Sequence, residues 1–261
     1  GIPHGAILLK PNTGQPPEHY AFIAEAAAKG GAHYIKDDEM KVNTLEMISK
    51  VAGALRKIED QQGRKILYGP NVTVRLSKAK EQAKMAIQQG ASAIMVNAVH
   101  AGLEYVRMLA EDPEIHVPIH IHRTGHDAMT RGEFGLNLKV FTKLCRLAGD
   151  DKIHISPVFG GLYRPGEVKE IYDVATAKLH HARPSMAVVS RGNLRVIPGT
   201  VSYLKGRDIL FLCDDGVYKH PKGIEYGMRE VTESLKCVQM GKLSPQDRRD
   251  ILYNDQNVRF V

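Results

Sequence analysis

The sequence predicts a single (β/α)8 barrel, and three observations carry that expectation. Its 261 residues are the usual length for one such domain. Short apolar runs alternate with amphipathic stretches through eight rounds, the signature of strands and helices in alternation. The strands are near-continuous apolar segments, which suits parallel strands buried on both faces. The barrel is expected over residues 1–243, with a charged tail over 244–261 that packs on the barrel or frays. A doubly wound open sheet fits less well. No GxGxxG follows the first strand, and polar residues end many strands rather than one crevice.

In order, the expected strand–helix pairs are 6–10 with 17–29, 33–37 with 44–62, 65–68 with 78–89, and 93–97 with 103–111. The second half continues with 116–123 and 136–148, 153–156 and 166–177, 186–190 and 196–205, and 209–213 and 224–239. Gly30, Gly31, Gly90 and Gly149 follow helices, where a left-handed cap favours glycine.

Composition narrows the function classes. Hydrophobic residues at 43% and charged residues at 25% are ordinary for a globular protein. No apolar run is long enough to span a bilayer, so a membrane is not an expected partner. The three cysteines, Cys145, Cys213 and Cys237, form no CxxC pair; free thiols suit a reducing compartment, and the cytoplasm is the expected location. The formal charge of +7 favours anionic partners. Lys and Arg are spread along the chain without an RNP-like motif or a Cys/His finger, so nucleic acid is the weaker reading.

Chemistry is expected at the C-terminal ends of the strands. Lys10 ends the first. The second ends Lys36-Asp37-Asp38-Glu39. Strand alternation points Lys36 and Asp38 together, turns Asp37 away and lets Glu39 turn in. Two carboxylates supply hard oxygens for Mg2+, and a lysine held neutral can add CO2 to become a third, anionic ligand. A surface ion-pair cluster is the plainer reading of the tetrapeptide alone. His120 and His122 share a face of the fifth strand, with Arg123 at the rim and His126 beyond; a rim arginine can hold a phosphate by two contacts. His154, Ser190-Arg191-Gly192 and Asp214-Asp215-Gly216 end later strands. Asn97 reads first as a turn former. Pro70-Asn71 could line the mouth, and His180-His181 read as loop residues.

Together these segments resemble the catalytic barrel of ribulose-bisphosphate carboxylase (RuBisCO) large subunits and the RuBisCO-like proteins. Residues 5–11, GAILLKP, resemble the family's strand-one lysine motif, and residues 30–39, GGAHYIKDDE, its metal-site motif. Residues 120–126 resemble HxHRxxH, 147–154 the strand-six histidine segment, and 183–190 the strand-seven segment. The resemblance implies that Lys36 is carbamylated by CO2 and binds Mg2+ with Asp38 and Glu39. It implies that Lys10 trades protons with an enolate, and that His122 contacts substrate hydroxyls. Arg123, His154 and Ser190 would bind one phosphate, with Arg191 and Gly192 beside them.

The departures matter as much. Asn12 replaces the second lysine of the carboxylases' Lys-Pro-Lys. Gly161 stands where their mobile loop carries a lysine, and Leu8 where they have threonine. Cys213-Asp214-Asp215-Gly216 replaces a glycine run that cradles a second phosphate. The family's N-terminal domain has no counterpart in the sequence, which raises a separate N-terminal partner; a homodimer or higher oligomer is the other expected assembly. The implied function is Mg2+-dependent enolisation, with isomerisation or cleavage of a sugar-derived ketone carrying one phosphate. A divergent or excised carboxylase domain and a non-catalytic binding or assembly module are the alternatives.

Overall fold

The computed structural model describes residues 2–40, 44–130, 134–179, 181–190, 192 and 196–241. The first half runs β1 His4–Leu8, α1 Pro17–Lys29, β2 Tyr34–Lys36, α2 Leu45–Gln62, β3 Leu67–Gly69, α3 Ala79–Gln88, β4 Ile94–Asn97, α4 Ala98–Ala101 and α5 Leu103–Ala110. The second half runs β5 Ile119–His122, α6 His126–Met129, α7 Leu138–Ala148, β6 Lys152–His154, α8 Pro165–Thr176, β7 Met186–Ser190, α9 Val196–Leu204, β8 Ile209–Cys213, α10 Asp215–Tyr218 and α11 Ile224–Gln239. Residues 242–261, which include the expected tail, lie outside the described residues, as do His180 and Arg191.

All the strand pairs are parallel, in the order β3-β2-β1-β8-β7-β6-β5-β4. The two end strands meet: Met95 N–H donates to the Pro70 carbonyl and Val72 N–H to the Met95 carbonyl, both at 2.9 Å. This seam brings the sheet round into a barrel. Strand alternation then separates two cores. Ile7, Ile35, Ile94, Ile121, Ile153, Val189 and Phe211 face the helices, whereas Ala6, Tyr34, Ala93, Val188, Leu210 and Leu212 fill the barrel axis.

Local signals explain most boundaries. Thr44 caps α2 by accepting from Met47 N–H at 3.2 Å, and Asn137 caps α7 through Lys139 N–H at 2.8 Å; such caps satisfy donors the helix leaves open. Gly31, Gly90 and Gly149 adopt positive φ as expected. Gly30 does not, with φ −73. Its missing side chain instead lets α11 approach, since a Cβ there would lie 2.8 Å from Met228 Cβ and 3.1 Å from Arg229 N.

Four strands differ from expectation by two residues or more at an end. The first spans His4–Leu8 rather than 6–10, so Lys10 lies just beyond it, and the third spans Leu67–Gly69 rather than 65–68. The fifth spans Ile119–His122 rather than the expected 116–123, because Pro118 has no N–H and Ile119 N–H is taken by Asp151 Oδ2 at 2.9 Å. The sixth starts at Lys152 and stops at His154. The one-turn helices α4, α6 and α10 were not expected; four residues are too few for a helical period to show. Among the described residues, no helix is long and apolar enough to cross a membrane.

Candidate active site at the C-terminal rim

The strand register gathers the candidate residues at one end. Lys36 lies beside Leu8 and Gly69, Asn97 beside His122, His154 beside Val188, and Ser190 beside Leu212. Lys36 is fully buried, and its Nζ donates to the Asp37 carbonyl at 2.6 Å and lies 3.9 Å from Glu39 Oε2. Desolvation pushes this amine down to about 8, against the pull of Glu39, Asp38 and Asp37. Asp38 is buried too. Its Oδ2 accepts from Lys10 Nζ at 2.6 Å, and the same amine reaches Asn12 Oδ1 at 3.0 Å. Asp37 turns away, as strand alternation requires: the Tyr68 hydroxyl donates to its Oδ2 at 3.2 Å.

Glu39 is held from three sides. Its carbonyl accepts from Asn71 Nδ2 at 2.9 Å, its Oε1 from Thr124 Oγ1 at 2.8 Å, and its Oε2 lies 3.3 Å from His122 Nε2. Thr124 N–H donates to His122 Nδ1 at 3.2 Å. That nitrogen is therefore an acceptor, so neutral His122 carries its proton on Nε2 and offers it to Glu39. Burial, with Lys36 and other cations nearby, holds His120, His122 and His154 well below the usual imidazole range. All three are neutral, and His154 lies between the others, its ring centre 4.9 Å from His120 and 4.3 Å from His122.

The remaining rim candidates are placed less directly. Arg123 donates from Nη1 to Asp127 Oδ1 at 2.7 Å and from Nε to the Ile155 carbonyl at 3.3 Å, with its guanidinium 5.6 Å from the Tyr163 ring centre. Ser190 is half-buried at the end of β7. Gly192 N–H donates to the Leu212 carbonyl at 3.0 Å, extending the β7–β8 ladder. Arg191 is outside the described residues. Asp214 occupies the N-cap position of α10 without a side-chain cap hydrogen bond, and Asp215 pairs with Lys219 at 2.6 Å. Asn97 Oδ1 accepts from Val99 and His100 N–H, the turn-forming role. His126 is buried against Phe141, with ring centres 4.8 Å apart. His181 is exposed.

Several positioning residues escaped the sequence reading. Thr124 follows the HxHR run and offers no periodic signal of its own. Tyr218 bridges Lys10 N–H at 2.9 Å and the Leu8 carbonyl at 2.8 Å from 208 residues away. Asp127 and Tyr163 meet at 3.0 Å around Arg123. Each joins two strand-end loops, a relation only the closed barrel creates.

The donor chemistry fits a hard divalent cation in part. Asp38 and Glu39 supply oxygen ligands, while among the described residues no group of three or more His, Cys, Asp or Glu is arranged to hold a metal. The third anionic oxygen is absent from the unmodified side chains, and the neighbour that could gain one is the buried Lys36 amine.

The comparison that decides the family covers nearly the whole barrel: the sequence pattern of the ribulose bisphosphate carboxylase large chain catalytic domain matches residues 4–251. The chain belongs to the RuBisCO large-chain family. A RuBisCO-like protein of Archaeoglobus fulgidus is 30% identical over 247 residues, covering 90% of this chain and 55% of that protein. A ribulose bisphosphate carboxylase of Methanocaldococcus jannaschii is also 30% identical, over 257 residues, covering 90% of this chain and 60% of the relative. The chain thus spans a little over half the length of these relatives. Among solved structures, the octameric RuBisCO of Pyrococcus horikoshii superimposes with a TM-score of 0.87 at 26% identity, over 99% of this chain and 64% of that one. A RuBisCO-like protein from Burkholderia fungorum shares the fold, with a TM-score of 0.85 at 22% identity, over 99% and 66%. Members of the family typically use Mg2+ and a carbamylated lysine.

Proposed function

We propose that this RuBisCO-family chain is a Mg2+-dependent RuBisCO-like enzyme. It enolises a phosphorylated, sugar-derived ketone and so isomerises or cleaves it, without fixing CO2. One observation carries the reading. Gly161, where the family's carboxylases carry a lysine, is half-buried, and a Cβ there would lie 2.5 Å from Ser156 Oγ and 2.8 Å from the Pro157 carbonyl. A side chain at this point of the loop after β6 would force its neighbours to shift, which supports a reading without the carboxylases' cation. Lys10, Lys36, Asp38, Glu39 and His122 at the same rim are the residue types enolisation needs.

Asp38, Glu39 and Lys36 as its CO2-derived carbamate would hold Mg2+. The ion supplies a Lewis acid that stabilises negative charge on the ketone oxygen. Around it, Lys10 holds an N–H bond to Asp38 and can return a proton at the enolised carbon. His122, oriented by Thr124, would redirect its Nε2–H from Glu39 to a substrate hydroxyl. Arg123, His154 and Ser190, with Arg191 and Gly192, take the phosphate. Asp127 already engages the Arg123 fork, so a phosphate there must compete with it, and the acids Asp214 and Asp215, in place of a glycine run, favour a substrate with a single phosphate. The same reading expects a homodimer or higher oligomer, or a separate N-terminal-domain partner, and a cytoplasmic location.

The test is solvent-deuterium exchange into phosphorylated ketoses, followed by mass spectrometry. Exchange is expected with Mg2+ and bicarbonate and lost in Lys36→Ala; exchange that persists without metal overturns the reading. The carboxylase alternative has its own support, because carboxylases match this chain at the same 30% identity as RuBisCO-like proteins. Incorporation of labelled CO2 into ribulose bisphosphate would establish it. Tight ligand binding without any exchange would identify a binding module.

A further inference from the structure

We propose that Tyr34 is a positioning residue that fixes the tautomer of His120 and thereby sets a buried N–H donor beneath the rim. Tyr34 precedes Lys36 by two residues on β2 and points, like it, into the barrel axis. Its hydroxyl lies 3.2 Å from His120 Nδ1, and the two rings stack with centres 5.5 Å apart and planes 22° apart. The space for that hydroxyl comes from β3. A Cβ on Gly69 would overlap the phenol oxygen and lie 2.9 Å from Tyr34 Cζ. Gly69 has ordinary strand backbone there, so its missing side chain serves the close approach rather than an unusual turn.

The direction of the hydrogen bond follows from matching donor strength to acceptor strength. Burial keeps the phenol protonated and the imidazole neutral, so the pair holds two protons to place. Among the described residues no second hydrogen bond reaches the Tyr34 hydroxyl, and His120 Nε2 is buried with no partner. Either direction leaves one donor and one acceptor unpartnered: the phenol O–H and the Nε2 lone pair if His120 donates, the Nε2–H and the phenol lone pair if Tyr34 donates. The phenol O–H is the more acidic donor and the imidazole nitrogen the more basic acceptor, so the O–H···Nδ1 pairing is the stronger one and prevails. His120 is then the Nε2–H tautomer.

This matches His122, whose Nδ1 accepts from Thr124 N–H. Both histidines of the HxH run present Nε2–H, each fixed by a different neighbour. His154, with its own Nε2 buried and unpartnered, lies between them. On the enolising reading, which this consequence rests on, these donors stand under the place where negative charge develops, and a donor oriented beforehand stabilises charge without reorganisation.

Histidine-15N labelling of the full chain and long-range 1H–15N correlation spectra test the assignment, with His120→Gln identifying the signals. The wild-type spectrum should show His120 with an unprotonated Nδ1 and a protonated Nε2. Tyr34→Phe should average the two nitrogens of His120 and leave the His122 pattern unchanged. A wild-type proton on Nδ1 overturns the proposal without requiring any variant to fold; an unchanged His120 pattern in Tyr34→Phe also overturns it. Gly69→Ala supplies the packing arm: its midpoint of thermal unfolding should fall, and adding Tyr34→Phe should recover part of the loss. No recovery would refute the assigned contact. These spectra need neither substrate nor metal, so a failed exchange assay leaves the tautomer assignment standing, and a failed tautomer assignment leaves the exchange result standing.

Discussion

Lys36 should capture CO2 at a pH where ordinary lysines do not. An exposed lysine titrates near 10.5, so at pH 7.5 only about 0.1% of it is neutral. Burial pushes Lys36 down to about 8, which leaves roughly a quarter of it neutral at pH 7.5, a gain of about 200-fold in the form that attacks CO2. At fixed dissolved CO2, capture should rise with pH and level off near 8 rather than near 10.5. The assay uses 13C-labelled bicarbonate, alkylation of the carbamate to a stable ester, and peptide mass spectrometry, with Lys36→Ala as the blank. The same shift has a stability readout. A lysine with a depressed folded pKa destabilises the fold fully below about 8, and the cost vanishes above the unfolded value of 10.5. The 2.5-unit gap corresponds to about 3 kcal/mol. Lys36→Met should therefore be more stable than wild type by about that amount at pH 7, with the advantage fading as pH rises from 8 to 10.5. Label at other lysines but not at 36, or capture that rises only above pH 10, would refute the reasoning.

Asp150 gives the opposite charge with a related sign. Burial pushes its carboxyl up to about 7, so the folded state loses stability as pH rises from near 4 to near 7, by about 4 kcal/mol in all. Asp150→Asn should be more stable than wild type at pH 8 and indistinguishable at pH 4, measured by urea unfolding. Thr124→Val removes the hydroxyl that donates to Glu39 and keeps the backbone N–H that orients His122; Mn2+ affinity in the presence of bicarbonate, read by electron paramagnetic resonance, should fall by about 10-fold or more.

The barrel was legible because most strands read as short apolar runs between amphipathic helices, whereas strand ends blurred where polar residues enter, as in IHIH of β5 and KIH of β6. The site was legible wherever chemistry is local in sequence. Lys36, Asp38 and Glu39 occupy one strand end, and alternation alone assigned Asp37 to the other face, where Tyr68 meets it. What stayed hidden is whatever two distant loops make together. Tyr218 reaching Lys10, Thr124 reaching Glu39 and Tyr34 reaching His120 across 86 residues all depend on register around a closed sheet. Tyr34 is instructive. In the sequence it is an apolar-looking strand residue, and only its juxtaposition with Gly69 and His120 gives its hydroxyl a purpose. Arg123 shows the reverse: its position at the rim was legible, but the carboxylate and ring that already engage it were not.

Charge counting at the rim gives an order of events. Lys10 pairs with Asp38 at 2.6 Å, and Lys36 lies 3.9 Å from Glu39. While both amines are protonated they balance both acids, and a divalent cation entering there would meet no net attraction. CO2 adds to neutral Lys36 by forming an N–C bond and releasing one N–H proton to solvent, so a neutral group becomes one negative charge, leaving three anions against the Lys10 ammonium. The net of two negative charges then matches a divalent ion, so CO2 uptake should precede metal binding. Lys10→Met removes the competing cation on Asp38. In titrations without bicarbonate it should tighten Mn2+ binding by about 10-fold, the equivalent of roughly 1.4 kcal/mol, in the range of a partly exposed ion pair at 4 Å or less. With bicarbonate present, the variant and wild type should draw closer together. If Lys10→Met binds Mn2+ no better than wild type without bicarbonate, Lys10 is not the charge that keeps the metal out, and the order of events must be set elsewhere in the site.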